Sequence, residues 1–141
     1  MVQLSTFTAW AICAIEAVQA FPNLPLNTEG NKIIDSTGAS FKYAGTNWPG
    51  HGEVMVPEGL QYQSIEKIVS DIKSLGMNSI RLTYAIQMVD QIFDNNGNDI
   101  DIKTAFTNGL GDDGADVLAK VLSSNPQFTE STTRLQVGLH R

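Results

Sequence analysis

The sequence predicts an α/β fold with parallel strands, and three observations carry that expectation. Residues 41–52, FKYAGTNWPGHG, read as a short strand that runs into a loop rich in Gly and Pro. Residues 64–75 place apolar side chains at helical spacing. Residues 78–84, NSIRLTY, read as a second strand. Strand, loop, helix and strand in that order form the unit of parallel α/β folds, where ligands collect at the carboxyl ends of the strands.

The chain has 141 residues, a length that suits one domain, and 42% of them are hydrophobic, enough for a core. The formal net charge is −6. Nucleic acid and anionic membranes recruit clustered Lys and Arg, so neither is the expected partner. There is no phosphate loop, dinucleotide fingerprint, CxxC or Ser/His/Asp arrangement, so no cofactor or metal is expected.

Residues 1–20 have the outline of a secretory signal peptide, an apolar run followed by the cleavage-like Val18-Gln19-Ala20. No Lys or Arg precedes the run and Glu16 lies within it, so an amphipathic helix is the alternative. The run is too short to span a bilayer. Cleavage would remove Cys13, the single cysteine, from a secreted, extracellular chain.

The elements follow in order. Residues 21–27 hold two prolines and read as extended. Residues 30–41 read as a hairpin around Ser36-Thr37-Gly38. The strand over 41–47 follows, ended by Pro49-Gly50, with Asn47, Trp48 and His51 near or in the loop. Ser64 is a good helix N-cap, Glu66 suits the first turn, and Gly76 sits where a C′ glycine belongs. The spacing predicts that Ile65, Ile68, Val69, Ile72 and Leu75 share the buried face of this helix. Alternation along the second strand sets Ser79, Arg81 and Thr83 opposite Ile80, Leu82 and Tyr84. Residues 85–93 fit a helical turn, residues 94–101 an acidic turn, and residues 114–123 a helix closed by Ser124-Asn125-Pro126. Residues 131–141 are weakly patterned.

Few residues point to chemistry. Arg81 is a lone charge in an apolar strand. On an inward-facing side it needs a carboxylate to hold, and on an edge strand it is a surface arginine or a structural salt bridge. Trp48 either stacks on a sugar ring or closes the top of a core. His51 and Glu53 stand two apart, weak evidence for an acid–base or metal pair. Asp94-x-Asn96-x-Asn98 begins like a calcium loop but fails at Asp99, where glycine is needed, and at Ala105, where a bidentate Glu is needed.

Three blocks together resemble the N-terminal part of glycoside hydrolase family 5, the cellulase-like retaining endoglycosidases. They are GNKIID at 30–35 with Gly38, YAGTNWPG at 43–50, and IKSLGMNSIRL at 72–82, with Gly59-Leu60 and Ser64 between. The resemblance covers residues 24–130. It implies a partial (β/α)₈ barrel over residues 21–141, made of an N-terminal hairpin that plugs the barrel bottom and the first two βα units. Arg81 falls on the arginine that orients the nucleophilic glutamate, and Trp48, with Asn47 and His51, falls at the substrate cleft. The implied partner is a β-glucan-type polysaccharide.

A barrel of this type needs about 250 residues. Retaining hydrolysis needs two glutamates about 5–5.5 Å apart, the acid/base one in an Asn-Glu pair. This sequence holds no Asn-Glu dipeptide. The expectation is therefore a truncated product, the N-terminal quarter to third of such an enzyme, without glycosidase activity alone. The alternatives are a small secreted glycan-binding protein using Trp48 and Tyr62, or a non-functional product that folds poorly.

Overall fold

A computed structural model describes residues 22–50 and 52–140. The expected signal peptide, Cys13 and His51 lie outside the described residues. The chain divides into two compact units, Met1–Phe41 and Lys42–Arg141.

In the first unit, strands β1 (Asn27–Glu29), β2 (Lys32–Ile34) and β3 (Ser40–Phe41) form an antiparallel sheet in the order β1-β2-β3. Thr28 pairs with Ile33, and Ile33 in turn with Phe41. The hairpin expected over 30–41 is the β2–β3 half of this sheet, and β1 is an addition. Between β2 and β3 the turn is built on Asp35. Its buried carboxylate accepts from the Thr37 hydroxyl at 2.6 Å, the Thr37 amide at 2.9 Å, the Ala39 amide at 3.0 Å and the Asn23 amide at 3.2 Å. These bonds, the Thr37 hydroxyl first, favour the ionised form and hold the Asp35 pKa far below the usual carboxylate range.

The second unit opens with β4 (Gly45–Trp48), crosses over through α1 (Ile65–Ser74) and returns as β5 (Ser79–Leu82), parallel to β4. This is the strand–helix–strand unit that the sequence predicts. Ser64 caps α1 by accepting from the Lys67 amide at 3.2 Å, and Gly76 follows its end at φ 80°. The strand expected at 41–47 starts later, because Phe41 pairs with Ile33 in β3. Residues 42–44 are held instead by Asn78, whose amide donates to the Lys42 carbonyl at 2.8 Å and accepts from the Ala44 amide at 2.9 Å.

Helices α2 (Ile86–Asp94), α3 (Ile102–Leu110), α4 (Gly114–Ser124) and α5 (Arg134–Gly138) complete the unit, with a 3₁₀ turn at Gly111–Asp113 between α3 and α4. The core joins Val56, Leu60, Ile65, Phe106, Leu118 and Val121 with neighbouring apolar residues, so it is centred on α3, α4 and the segment before α1. The predicted buried face of α1 is only partly buried. Ile65 is buried and Ile68 and Ile72 are half-buried, whereas Val69 and Leu75 are exposed, Leu75 at 75%. Two strands of four residues each make too narrow a sheet to cover a ten-residue helix. Helices α3 and α5 were not anticipated. The fold is mixed α/β with two small sheets, and the described residues contain no closed barrel.

Candidate functional site

The carboxyl ends of β4 and β5 bring Asn47 and Arg81 together. The two are directly paired in register, as are Gly45 with Ser79 and Trp48 with Leu82. In-register residues of parallel strands project to one side, so Gly45, Ser79, Asn47 and Arg81 share a face of this sheet and Thr46, Ile80, Trp48 and Leu82 share the other. At Gly45 a Cβ would lie 3.0 Å from the Ser79 carbonyl oxygen and would displace the Ser79 hydroxyl, so glycine suits the close approach of the two strands there. Asn47 and Arg81 are both exposed. Among the described residues Arg81 makes no ion pair. The chain thus presents a cation and an amide, side by side and solvated, where a parallel α/β fold places its ligands.

Trp48 is not displayed with them. It ends β4 rather than lying in a loop, it is half-buried, and it packs against the core. Its indole N–H donates to the Glu58 carbonyl at 2.9 Å, and the Glu58 amide donates to the Pro49 carbonyl at 3.1 Å. The structure shows Trp48 half-buried against the core, with its indole N–H bonded to the loop that follows. The same two bonds pinch residues 49–58 into a loop with a fixed base. Glu53 is exposed in that loop. Tyr62 is 76% exposed, beyond the loop.

Sequence reasoning missed the most buried polar cluster. Arg134, at the start of α5, is 2% exposed. Its Nε and Nη2 donate to Asp99 Oδ1 at 2.8 and 2.6 Å, and its Nη1 donates to Gln91 Oε1 at 2.8 Å and contacts Met55 Sδ at 3.1 Å. Asp99 also accepts from the Leu135 amide at 2.8 Å. One ion pair so ties α5, α2 and the turn before α3 to Met55, which holds a left-handed backbone at φ 62°. Asp99, which breaks the calcium-loop pattern, has this arginine as its partner. Asn125 is wholly buried. It accepts from the Ile65 amide at 2.9 Å and donates to the carbonyls of Leu60 at 2.9 Å and Val121 at 3.0 Å, joining the start of α1 to the end of α4.

No group of three or more His, Cys, Asp or Glu residues is placed to hold a metal ion among the described residues. Among the same residues no helix is long and apolar enough to cross a membrane.

A parallel strand–helix–strand unit with an exposed Asn/Arg pair at its strand ends is the class that fold and site define. The chain is similar to two curated proteins. One is a glycosyl hydrolase 5 family protein of Chamaecyparis obtusa, 46% identical over 68 residues, which are 48% of this chain and 12% of that protein. The other is an endoglucanase of Paenibacillus polymyxa, 32% identical over 85 residues, 60% of this chain and 21% of that protein. The chain is glycoside hydrolase family 5-like over these stretches, and it spans about an eighth and a fifth of the two relatives' lengths. No family model matches the chain. No solved structure matches it.

Proposed function

We propose that this chain carries the N-terminal βα units of a secreted, retaining β-glycan hydrolase of glycoside hydrolase family 5. In this reading β4 and β5 are the first two strands of a (β/α)₈ barrel and α1 is the helix between them. The observation that carries it is the in-register Asn47–Arg81 pair, exposed at the carboxyl ends of parallel strands. Similarity to a family 5 protein and to an endoglucanase supports the same reading. A closed barrel turns alternate residues of each strand inward, and Asn47 and Arg81 are exposed on the face opposite Trp48, which packs against the core.

The chemistry follows from the guanidinium. Its N–H donors form charge-assisted bonds to a carboxylate and so fix the direction of its lone pairs. Asn47 beside it offers an amide to a sugar hydroxyl or to the same carboxylate. Arg81 so orients a nucleophile, but it cannot replace one. The covalent step and the protonation of the leaving group each need a carboxylic side chain of their own.

The 141-residue chain alone is therefore expected to release no reducing sugar from carboxymethyl cellulose. Turnover by the purified chain above that of a buffer blank overturns this. The role of Arg81 is tested separately in a chimera in which residues 42–94 replace the corresponding segment of the Paenibacillus endoglucanase. Activity is expected to survive the exchange and to fall at least about 100-fold with Arg81→Ala, the scale lost with one transition-state-stabilising donor. A chimera indifferent to Arg81→Ala removes the assignment.

A further inference from the structure

Two Asn-Gly pairs occur in the sequence, Asn96-Gly97 and Asn108-Gly109, and the structure puts them in opposite settings. Glycine after asparagine leaves the backbone nitrogen unhindered towards the asparagine side chain, because no Cβ stands in the way. Asn108 and Gly109 lie inside α3, where the Gly109 amide belongs to the helical ladder. That helix places Ile102 and Phe106 in the core. Asn96 and Gly97 lie just past the end of α2, and both are exposed.

The turn after α2 ties up the asparagines on either side of this pair. Asn95 Nδ2 donates to the Asn98 carbonyl at 3.0 Å, and Asn98 Nδ2 donates to the Asn95 carbonyl at 3.1 Å. Among the described residues the Asn96 carboxamide makes no hydrogen bond. Asn96 and Gly97 both hold left-handed backbones, at φ 54° and 84°. The Gly97 amide donates to the Ile92 carbonyl at 2.8 Å and closes the last turn of α2. That bond keeps its nitrogen from the Asn96 side chain. The turn it closes is weakly held, because Phe93 there is 84% exposed and Asp94 is a charge that the helix dipole disfavours. Such an end opens locally, whereas α3 opens only with the core.

We propose that Asn96 is a modification site of the folded chain, converted by water to aspartate and isoaspartate through a cyclic imide, and that the product loosens the end of α2. When the turn opens, the Gly97 nitrogen gives up its proton and attacks Asn96 Cγ. The bond from that nitrogen to Cγ forms, the Cγ–Nδ2 bond breaks, and ammonia leaves with the proton. Water then opens the ring. Attack at Cγ restores the backbone and leaves an aspartate side chain. Attack at the backbone carbonyl carbon of residue 96 leaves the chain running through the side chain, as isoaspartate. Either product places a new carboxylate beside Asp94 at the carboxyl end of α2, where the helix dipole opposes it. The site is separate from the Asn47–Arg81 face and does not depend on the glycosidase reading.

The test incubates the full chain in mildly alkaline buffer, with and without urea, and follows both pairs by peptide mapping with isoaspartate detection. In the folded chain conversion is expected at Asn96, with Asn108 at least about 10-fold slower because its helix opens only with the core. In urea the two are expected to react at comparable rates, since the dipeptide is the same and the fold no longer selects between them. Gly97→Ala is expected to slow conversion at residue 96 in urea as well, where its effect on folding plays no part. Asn96→Asp, which reproduces one product, is expected to lower the protection of the Gly97 amide against hydrogen exchange. The proposal is overturned if Asn108 keeps pace with Asn96 in the folded chain, or if Asn96 stays intact there while the urea-treated chain is converted. Conversion indifferent to Gly97→Ala, or Gly97 protection unchanged by Asn96→Asp, overturns it equally.

Discussion

At Arg134 the chain buries a full positive charge and satisfies it with one carboxylate, one amide oxygen and a thioether. Removing one partner of such a pair leaves the other charged and desolvated. Arg134→Met is therefore expected to cost about 3–5 kcal/mol in urea denaturation. Arg134→Met with Asp99→Leu should recover most of that loss, because apolar side chains of similar volume often replace a buried pair at little cost. Additive losses in the double variant would count against the pairing. Asn125→Ala is expected to cost about 1–3 kcal/mol by orphaning the Ile65 amide and the Leu60 carbonyl. Faster hydrogen exchange at the Ile65 amide is its local signature, and unchanged protection there would contradict the assignment. None of this was legible in the sequence. Arg81 stood out as one charge among apolar neighbours, whereas Arg134 sits in a weakly patterned tail and its partner lies 35 residues upstream.

Elements were legible where their signals are local. Ser64 and Gly76 mark the two ends of α1 as expected, since a side-chain cap and a left-handed residue act on their own backbone. Helix α3 has such a cap in Asp101, which accepts from the Thr104 amide at 2.7 Å, but Thr104, Thr107, Asn108 and Gly109 within it are poor helix formers and obscured its pattern. Helix α2 is periodic, yet Ile86 and Phe93 stay 80% and 84% exposed, because periodicity identifies an apolar face and not what covers it. The β2–β3 turn gives a pH prediction. Asp35 has a folded-state pKa well below its ordinary value, so its contribution to stability is fully present above that ordinary value, about 4. That contribution is lost as pH falls further, towards the folded-state pKa. The Thr37 and Ala39 amides, which donate to Asp35, should lose exchange protection in acid, and Asp35→Asn should abolish the pH dependence. Protection that rises on acidification would reverse the sign and contradict the assignment.

On the scale of the whole molecule the two units differ in kind. The first is held by strands of three, three and two residues, the second by a core shared among helices. Short strands bury little apolar surface and have little independent stability. The amides of Thr28 and Ile33 are therefore expected to exchange well before those of Phe106 and Val121. Simultaneous exchange would mean that both units open as one. The sequence by itself determined the strand–helix–strand unit, the limits of α1, the β2–β3 hairpin and the family resemblance, because caps, glycines and periodicity act over a few residues. The tertiary structure alone decided that Trp48 packs against the core, that Arg81 stands exposed beside Asn47, that α1 is half covered, and that Arg134, Asp99 and Asn125 hold the helices together. These are matters of which distant groups share a desolvated space. A buried charge or amide must find its partners wherever the fold brings them, and no local pattern records the distance along the chain at which they lie.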